Sequence, residues 1–144
     1  MLTFYSEDSR LRQARTELHD GALVTPFECP ERLDLVLKHL RQSGLGDIRT
    51  PSAYGLAPVL AVHDKDYVTF LANCWKEWGA AGHEGEAIPN IWPARTMRSD
   101  RIPRSISGQL GYYALAAETS ISEGTFEAAM ASKDVALGAV EHTL

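Results

Sequence analysis

Leu2 to Tyr5 is a short run of apolar and aromatic residues that closes on the polar stretch Ser6 to Arg10, a pattern that predicts a buried strand leading into a loop. Downstream of Phe27, Pro30 suits the start of a helix. Leu33, Val36, Leu37 and Leu40 then recur at helical spacing until Gly44, so an amphipathic helix is predicted here. Asp47 to Pro51 reads as a second short strand, because βα alternation and the proline and tyrosine punctuation suit an edge segment better than a helix. Asp64 stands where a helix cap is expected, ahead of Tyr67, Phe70, Leu71, Cys74, Trp75 and Trp78. Their spacing places all six near one stripe, and Gly79 and Gly82 mark the stop.

Periodicity vanishes from Gly82 to Ser107. Pro89, Pro93 and Pro103 share this stretch with Arg95, Arg98, Arg101 and Arg104, describing a long irregular loop of a kind that is uncommon in compact domains and is usually functional or disordered. Helical spacing returns with Leu110, Tyr113 and Ala117, and again from Thr125 through Phe126, Met130, Leu137, Val140 and Leu144. The last helix has no glycine, proline or polar tail to finish it, from which truncation within a longer chain is expected. Residues 1–144 read as a piece of one α/β domain, mostly helical, with no repeat and no composition shift marking a second domain.

Composition narrows the partners rather than the fold. A hydrophobic share of 44% and a charged share of 23% are those of ordinary globular material, which argues against disordered and fibrous classes. The net charge of −5 weighs against general nucleic-acid binding and mildly favours cationic ligands. No apolar run approaches the roughly 18 residues of a membrane span, and the acids of the first ten residues break any secretory signal. Cys29 and Cys74 are isolated, which fits a reducing cytoplasm better than a disulfide framework.

Local chemistry is sparse. His19, His39, His63, His83 and His142 are scattered, and no pair has the spacing of a zinc helix. His83 with Glu84 and Glu86 comes nearest to a ligand cluster, but it lies between glycines and reads as a solvated turn. No nucleophile elbow, phosphate-binding glycine loop or cysteine nucleophile motif occurs. The aromatic stripe reads as core rather than a stacking platform, and the spaced arginines as a solvated or interface loop rather than an anion site. Read residue by residue, the chain offers no catalytic group and no metal ligand set.

A longer pattern says more. YSEDSRLRQARTEL is followed by a glycine and then PFE, and after it come VHDKDYVTFL, GEAI, RIPRSISGQLGYY, AAETSIS and GTFEAA in order. This series spans almost the whole chain and resembles the N-terminal portion of the acetylpolyamine amidohydrolases, which belong with histone deacetylases to the arginase-deacetylase fold. VHDKDYVTFL is similar to a pattern general to the superfamily, whereas the long loop and the GQLGYY to AAET segment resemble the polyamine branch.

The resemblance implies a three-layer fold around a parallel sheet, with residues 82–107 as an insertion that builds a homodimer and narrows a substrate tunnel. It also implies a zinc ion held by two aspartates and a histidine, a histidine pair as acid and base, and an oxyanion-stabilising tyrosine. None of those motifs, including the family's PPGHH run, occurs in these residues. The chain alone is therefore expected to bind no zinc and to be inactive.

What carries over is the substrate channel. Glu17 and Glu118 match acids near the family's tunnel that favour a cationic polyamine, and Phe27 matches an aromatic residue lining it. His19 stands at the rim, where the family often has tyrosine. Ser107 stands where an acid is expected, which implies a broader preference among acetylated polyamines and small cationic acetylamides. A reading of another class remains open at this stage: a non-catalytic binding or dimerisation module that pairs with a longer paralogue or a separate catalytic half.

Overall fold

Along the chain the elements run β1 (Thr3–Phe4), a 3-10 helix (Glu7–Arg10), β2 (Glu17–His19), β3 (Ala22–Val24), α1 (Glu31–Ser43), β4 (Ile48–Arg49), α2 (Ala57–Leu60), α3 (Lys65–Ala80), α4 (Ile106–Tyr113) and α5 (Thr125–Thr143). The structure, a computed structural model, describes residues 1–118 and 120–144. Two compact units divide the chain. One comprises Met1–Gln13, Glu28–Val62 and Glu123–Leu144, the other Ala14–Phe27 and His63–Ser122.

In the first unit β1 and β4 pair in parallel, Thr3 opposite Ile48 and Phe4 opposite Arg49. The ladder is extended by the Thr3 amide, which donates to the Asp47 carbonyl at 2.9 Å, and by the Tyr5 amide, which donates to the Arg49 carbonyl at 2.9 Å. Both predicted strands are present, in the parallel pairing expected of the N-terminal part of a parallel-sheet α/β fold. The polar stretch after β1 is not a loop. Ser6 accepts the Asp8 amide at 3.3 Å and caps the 3-10 helix, a local bond that a serine ahead of two acids provides.

Helix α1 ends at Gly44 in the left-handed conformation, as its sequence predicts. Of its expected apolar face only Leu37 is fully buried, and Val36 is 57% exposed. Helix α5 packs against β1 and the 3-10 helix. Its buried residues, Ala128, Ala131 and Gly138, are small, which allows close approach of its backbone. The loop after β4 is fastened to α5 by polar groups. The Tyr54 amide donates to Asp134 Oδ1 at 3.0 Å, Lys133 Nζ donates to the Gly55 carbonyl at 2.8 Å, and Lys133 and Asp134 form an ion pair.

In the second unit β2 and β3 form an antiparallel hairpin that the hydrophobic pattern does not announce. Helix α3 supplies the core face. Phe70 and Cys74 are buried with Ala87, Ile106, Leu110 and Ile121, and Tyr67, Leu71 and Trp78 pack against them. The stripe reading holds for five of the six predicted residues, whereas Trp75 is half-buried outside the cluster and Val68, off the predicted stripe, is buried. Burial pushes the Cys74 thiol up to about 11, so it acts as packing rather than as a nucleophile. Asp64 occupies the cap position with extended backbone but makes no side-chain capping bond, and Gly79 lies within the last turn instead of ending it.

The long loop is real but shorter than its sequence suggests. Ser105 accepts the Gly108 amide at 3.2 Å and caps α4, so Ser107 belongs to the first helical turn. At the other end α4 stops at Tyr113, because Ala114 turns extended; Ala117 lies outside the helix. The loop is tied to α4 at several points. Trp92 Nε1 donates to the Ala114 carbonyl at 2.7 Å, and the Tyr112 hydroxyl donates to the Ser99 carbonyl at 2.9 Å. Gly111 approaches Ile91 so closely that a Cβ there would overlap the Ile91 carbonyl oxygen. Among the described residues no helix is long and apolar enough to cross a membrane.

Candidate functional site

The β2–β3 hairpin turns at Asp20 and Gly21, with φ of 47° and 80°. Two successive residues of positive φ match the twist of the flanking strands, and an Asp-Gly pair is suited to both positions. Glu17 stands opposite Val24 and His19 opposite Ala22, so Glu17 and His19, two residues apart on a strand, share one face of the hairpin.

Beyond β3 the chain returns to that face. The Phe27 amide donates to Glu17 Oε2 at 3.1 Å, and the Phe27 ring meets the His19 ring edge-on, with centroids 5.5 Å apart and planes at 76°. Three of the four candidates drawn from the sequence thus form one cluster. It is open to solvent, Phe27 being 63% exposed. His19 Nε2 also lies 3.5 Å from Asp20 Oδ2.

Glu118 is exposed and is not in this cluster. Its segment is nevertheless tied to the hairpin. Ser120 is fully buried and its hydroxyl donates to the Thr16 carbonyl at 3.4 Å, so Glu118 lies two residues before a bond to the residue preceding Glu17. Glu17 spends one oxygen on a backbone amide and keeps further acceptor capacity. A carboxylate beside an aromatic wall is suited to an alkylammonium group, through charge at the acid and cation–π attraction at the ring.

The His83 region differs from the solvated turn that its sequence suggests. His83 stacks on Trp78 with ring centroids 3.8 Å apart and 21° between planes, and its Nε2 lies 3.3 Å from Ser107 Oγ. Glu86 is likewise engaged. One oxygen accepts the Arg15 amide at 2.8 Å, and the other accepts the Thr16 amide at 2.9 Å and the Thr16 hydroxyl. The next residue, Ala87, is fully buried and exchanges backbone bonds of 2.9 and 3.0 Å with Ile121. A glutamate in a glycine-rich turn gave no sign of this, since its partners are about 70 residues away.

The zinc ion implied by the sequence resemblance does not fit the donors present. Among the described residues no three histidine, cysteine, aspartate or glutamate side chains gather where they could hold a metal ion. No step through a metal follows from the donors present.

Comparison with known proteins adds a relationship. The chain is 49% identical over 132 residues to acetylpolyamine amidohydrolase of Mycoplana ramosa, a match covering 92% of this chain and 38% of that protein. It is 41% identical over 143 residues to acetylpolyamine amidohydrolase 1 of Pseudomonas aeruginosa, covering 99% of this chain and 41% of that protein. The crystal structure of acetylpolyamine aminohydrolase from Burkholderia pseudomallei superposes with a TM-score of 0.88 at 30% identity, over 99% of this chain and 41% of that one. No family model matches. In sequence and in fold the chain is a relative of the acetylpolyamine amidohydrolases, matching about two fifths of their length.

Proposed function

We propose that this chain is the substrate-recognition portion of a zinc-dependent deacetylase acting on acetylated polyamines or similar small cationic acetylamides, and that the catalytic centre is contributed by residues other than these. The observation that carries the reading is the clustering of Glu17, His19 and Phe27 on one face of the hairpin, with a free carboxylate edge beside an exposed aromatic ring. Such a group attracts an ammonium without touching a scissile amide, so its contribution is to selection and orientation. The names of the relatives point to the same substrate class.

The long loop supports a second part of the proposal, a homodimer formed through it. Ile91, Met97 and Ile102 are exposed on a segment held in place by hydrogen bonds to α4, and ordered apolar side chains of this kind suit an interface between copies. A cytoplasmic location is part of the reading as well, supported by two cysteines that are both free thiols.

The test is calorimetric titration of the chain with acetylputrescine at low salt. Glu17→Gln keeps the shape of the side chain and removes its charge, and is expected to weaken binding about tenfold, since each ~1.4 kcal/mol of lost interaction is one decade. Affinity unchanged in that variant, with the fold intact, would remove the hairpin from any part in recognition.

A further inference from the structure

His19 stands among the same groups that would receive the ammonium of a ligand. It shares a hairpin face with Glu17, two residues away on β2, a spacing that puts their Cα atoms about 7 Å apart. Its ring centroid is 5.5 Å from that of Phe27, inside the roughly 6 Å reach of a cation–π contact. Its Nε2 lies 3.5 Å from Asp20 Oδ2 at the turn. Across the hairpin it is paired with Ala22, which carries no charge. The charged groups around the ring are thus the acids Glu17 and Asp20, and the segment after β3 brings the uncharged Phe27.

Histidine is the side chain that ordinarily changes its charge between about pH 5 and about pH 8. When neutral, the imidazole leaves the Glu17 carboxylate and the Phe27 ring to a ligand and offers a ring nitrogen as an acceptor. When protonated, it is itself a cation set between two acids and an aromatic ring. We infer that His19 is a specificity-determining residue that acts as a tethered competitor: in its charged form it takes the partners an alkylammonium needs and repels that group, so recognition of the cationic end of the ligand weakens on acidification. The step is the gain or loss of one proton at the imidazole, and no bond of the ligand changes. Proton and ligand oppose each other, and by linkage the opposition is reciprocal.

The inference rests on the functional reading above, and the experiment separates the two. The 144-residue chain is titrated with acetylputrescine at low salt, at about pH 8 and at about pH 5.5. Over this range the ammonium of the ligand stays charged and ordinary carboxylates stay ionised, so the change acts on histidine. Affinity is expected to be about fivefold lower at the acid value, the effect of one added unit charge a few ångströms away in a largely aqueous setting. In His19→Gln the difference between the two pH values should vanish.

The second readout is the His19 ring, followed by proton magnetic resonance in the unsubstituted chain. Saturating acetylputrescine should make the ring take up its proton at a lower pH. This measurement decides the matter if His19→Gln fails to fold. Equal affinity at the two pH values, a difference that persists in a folded His19→Gln chain, or a ring titration untouched by the ligand would each overturn the inference and leave the functional reading standing. Failure of the unsubstituted chain to bind acetylputrescine at the alkaline value would instead sink the functional reading, and the competing role with it.

Discussion

Glu17 has a structural bond, and the proposed function gives it a part in recognition as well. Its carboxylate accepts the Phe27 amide at 3.1 Å, which holds the aromatic ring near His19, and its remaining lone pairs are free to meet an ammonium. Asp134 is a different kind of acid. Its side chain is 19% exposed, and it receives the Tyr54 amide and the Lys133 ammonium. Burial acts to raise its pKa, but the bond from Lys133, the Tyr54 amide and the Lys133 charge together bring it below the ordinary aspartate value. A folded-state pKa below the unfolded one stabilises the protein fully above the unfolded value, about pH 4, and that stability is lost as the pH falls through the folded value. Asp134→Asn is expected to cost about 1–2 kcal/mol at neutral pH and to flatten the acid side of the melting-temperature profile. Thermal melts from pH 7 down to pH 3 measure both, and a variant that keeps the parent's acid-side slope would exclude Asp134 as its source.

At the scale of elements, what was legible in the sequence is what leaves a local period. Helices α1, α3 and α5 follow from apolar residues three and four apart, β1 from a short apolar run closed by a polar stretch, and β4 from βα alternation and the proline and tyrosine that follow it. The hairpin was not legible by alternation, because each strand has only three residues. Its readable signal was the Asp20-Gly21 pair. The candidates Glu17, His19 and Phe27 came from resemblance, whereas the bond joining Glu17 to Phe27 and the fork at Glu86 required the folded chain. Pairings that close over long separations leave no pattern in either segment. The loop between α3 and α4 makes the same point through Gly111, whose missing side chain makes room for the Ile91 carbonyl. Gly111→Ala should force the loop off α4 and destabilise the protein by about 1–3 kcal/mol. Amide exchange should accelerate at Ile91 and Trp92 and leave β1 and β4 unaffected; protection unchanged throughout would show that the loop is not seated on Gly111.

For the whole molecule, the two units carry different burdens. Met1–Gln13, Glu28–Val62 and Glu123–Leu144 hold the parallel strand pair and α5, while Ala14–Phe27 and His63–Ser122 hold every candidate recognition residue, the Glu86 fork and the long loop. Recognition is thus proposed to reside in one unit, without a metal donor set among the described residues. The measurement that tests this most directly is a magnetic-resonance titration of the nitrogen-labelled chain with acetylputrescine in the presence of zinc, read at once for amide shifts and for released acetate. The account predicts shifts concentrated at Glu17, His19, Phe27 and the segment around Glu118, with the acetyl group retained. Acetate released in proportion to bound zinc, or shifts confined to residues away from the hairpin, would contradict it.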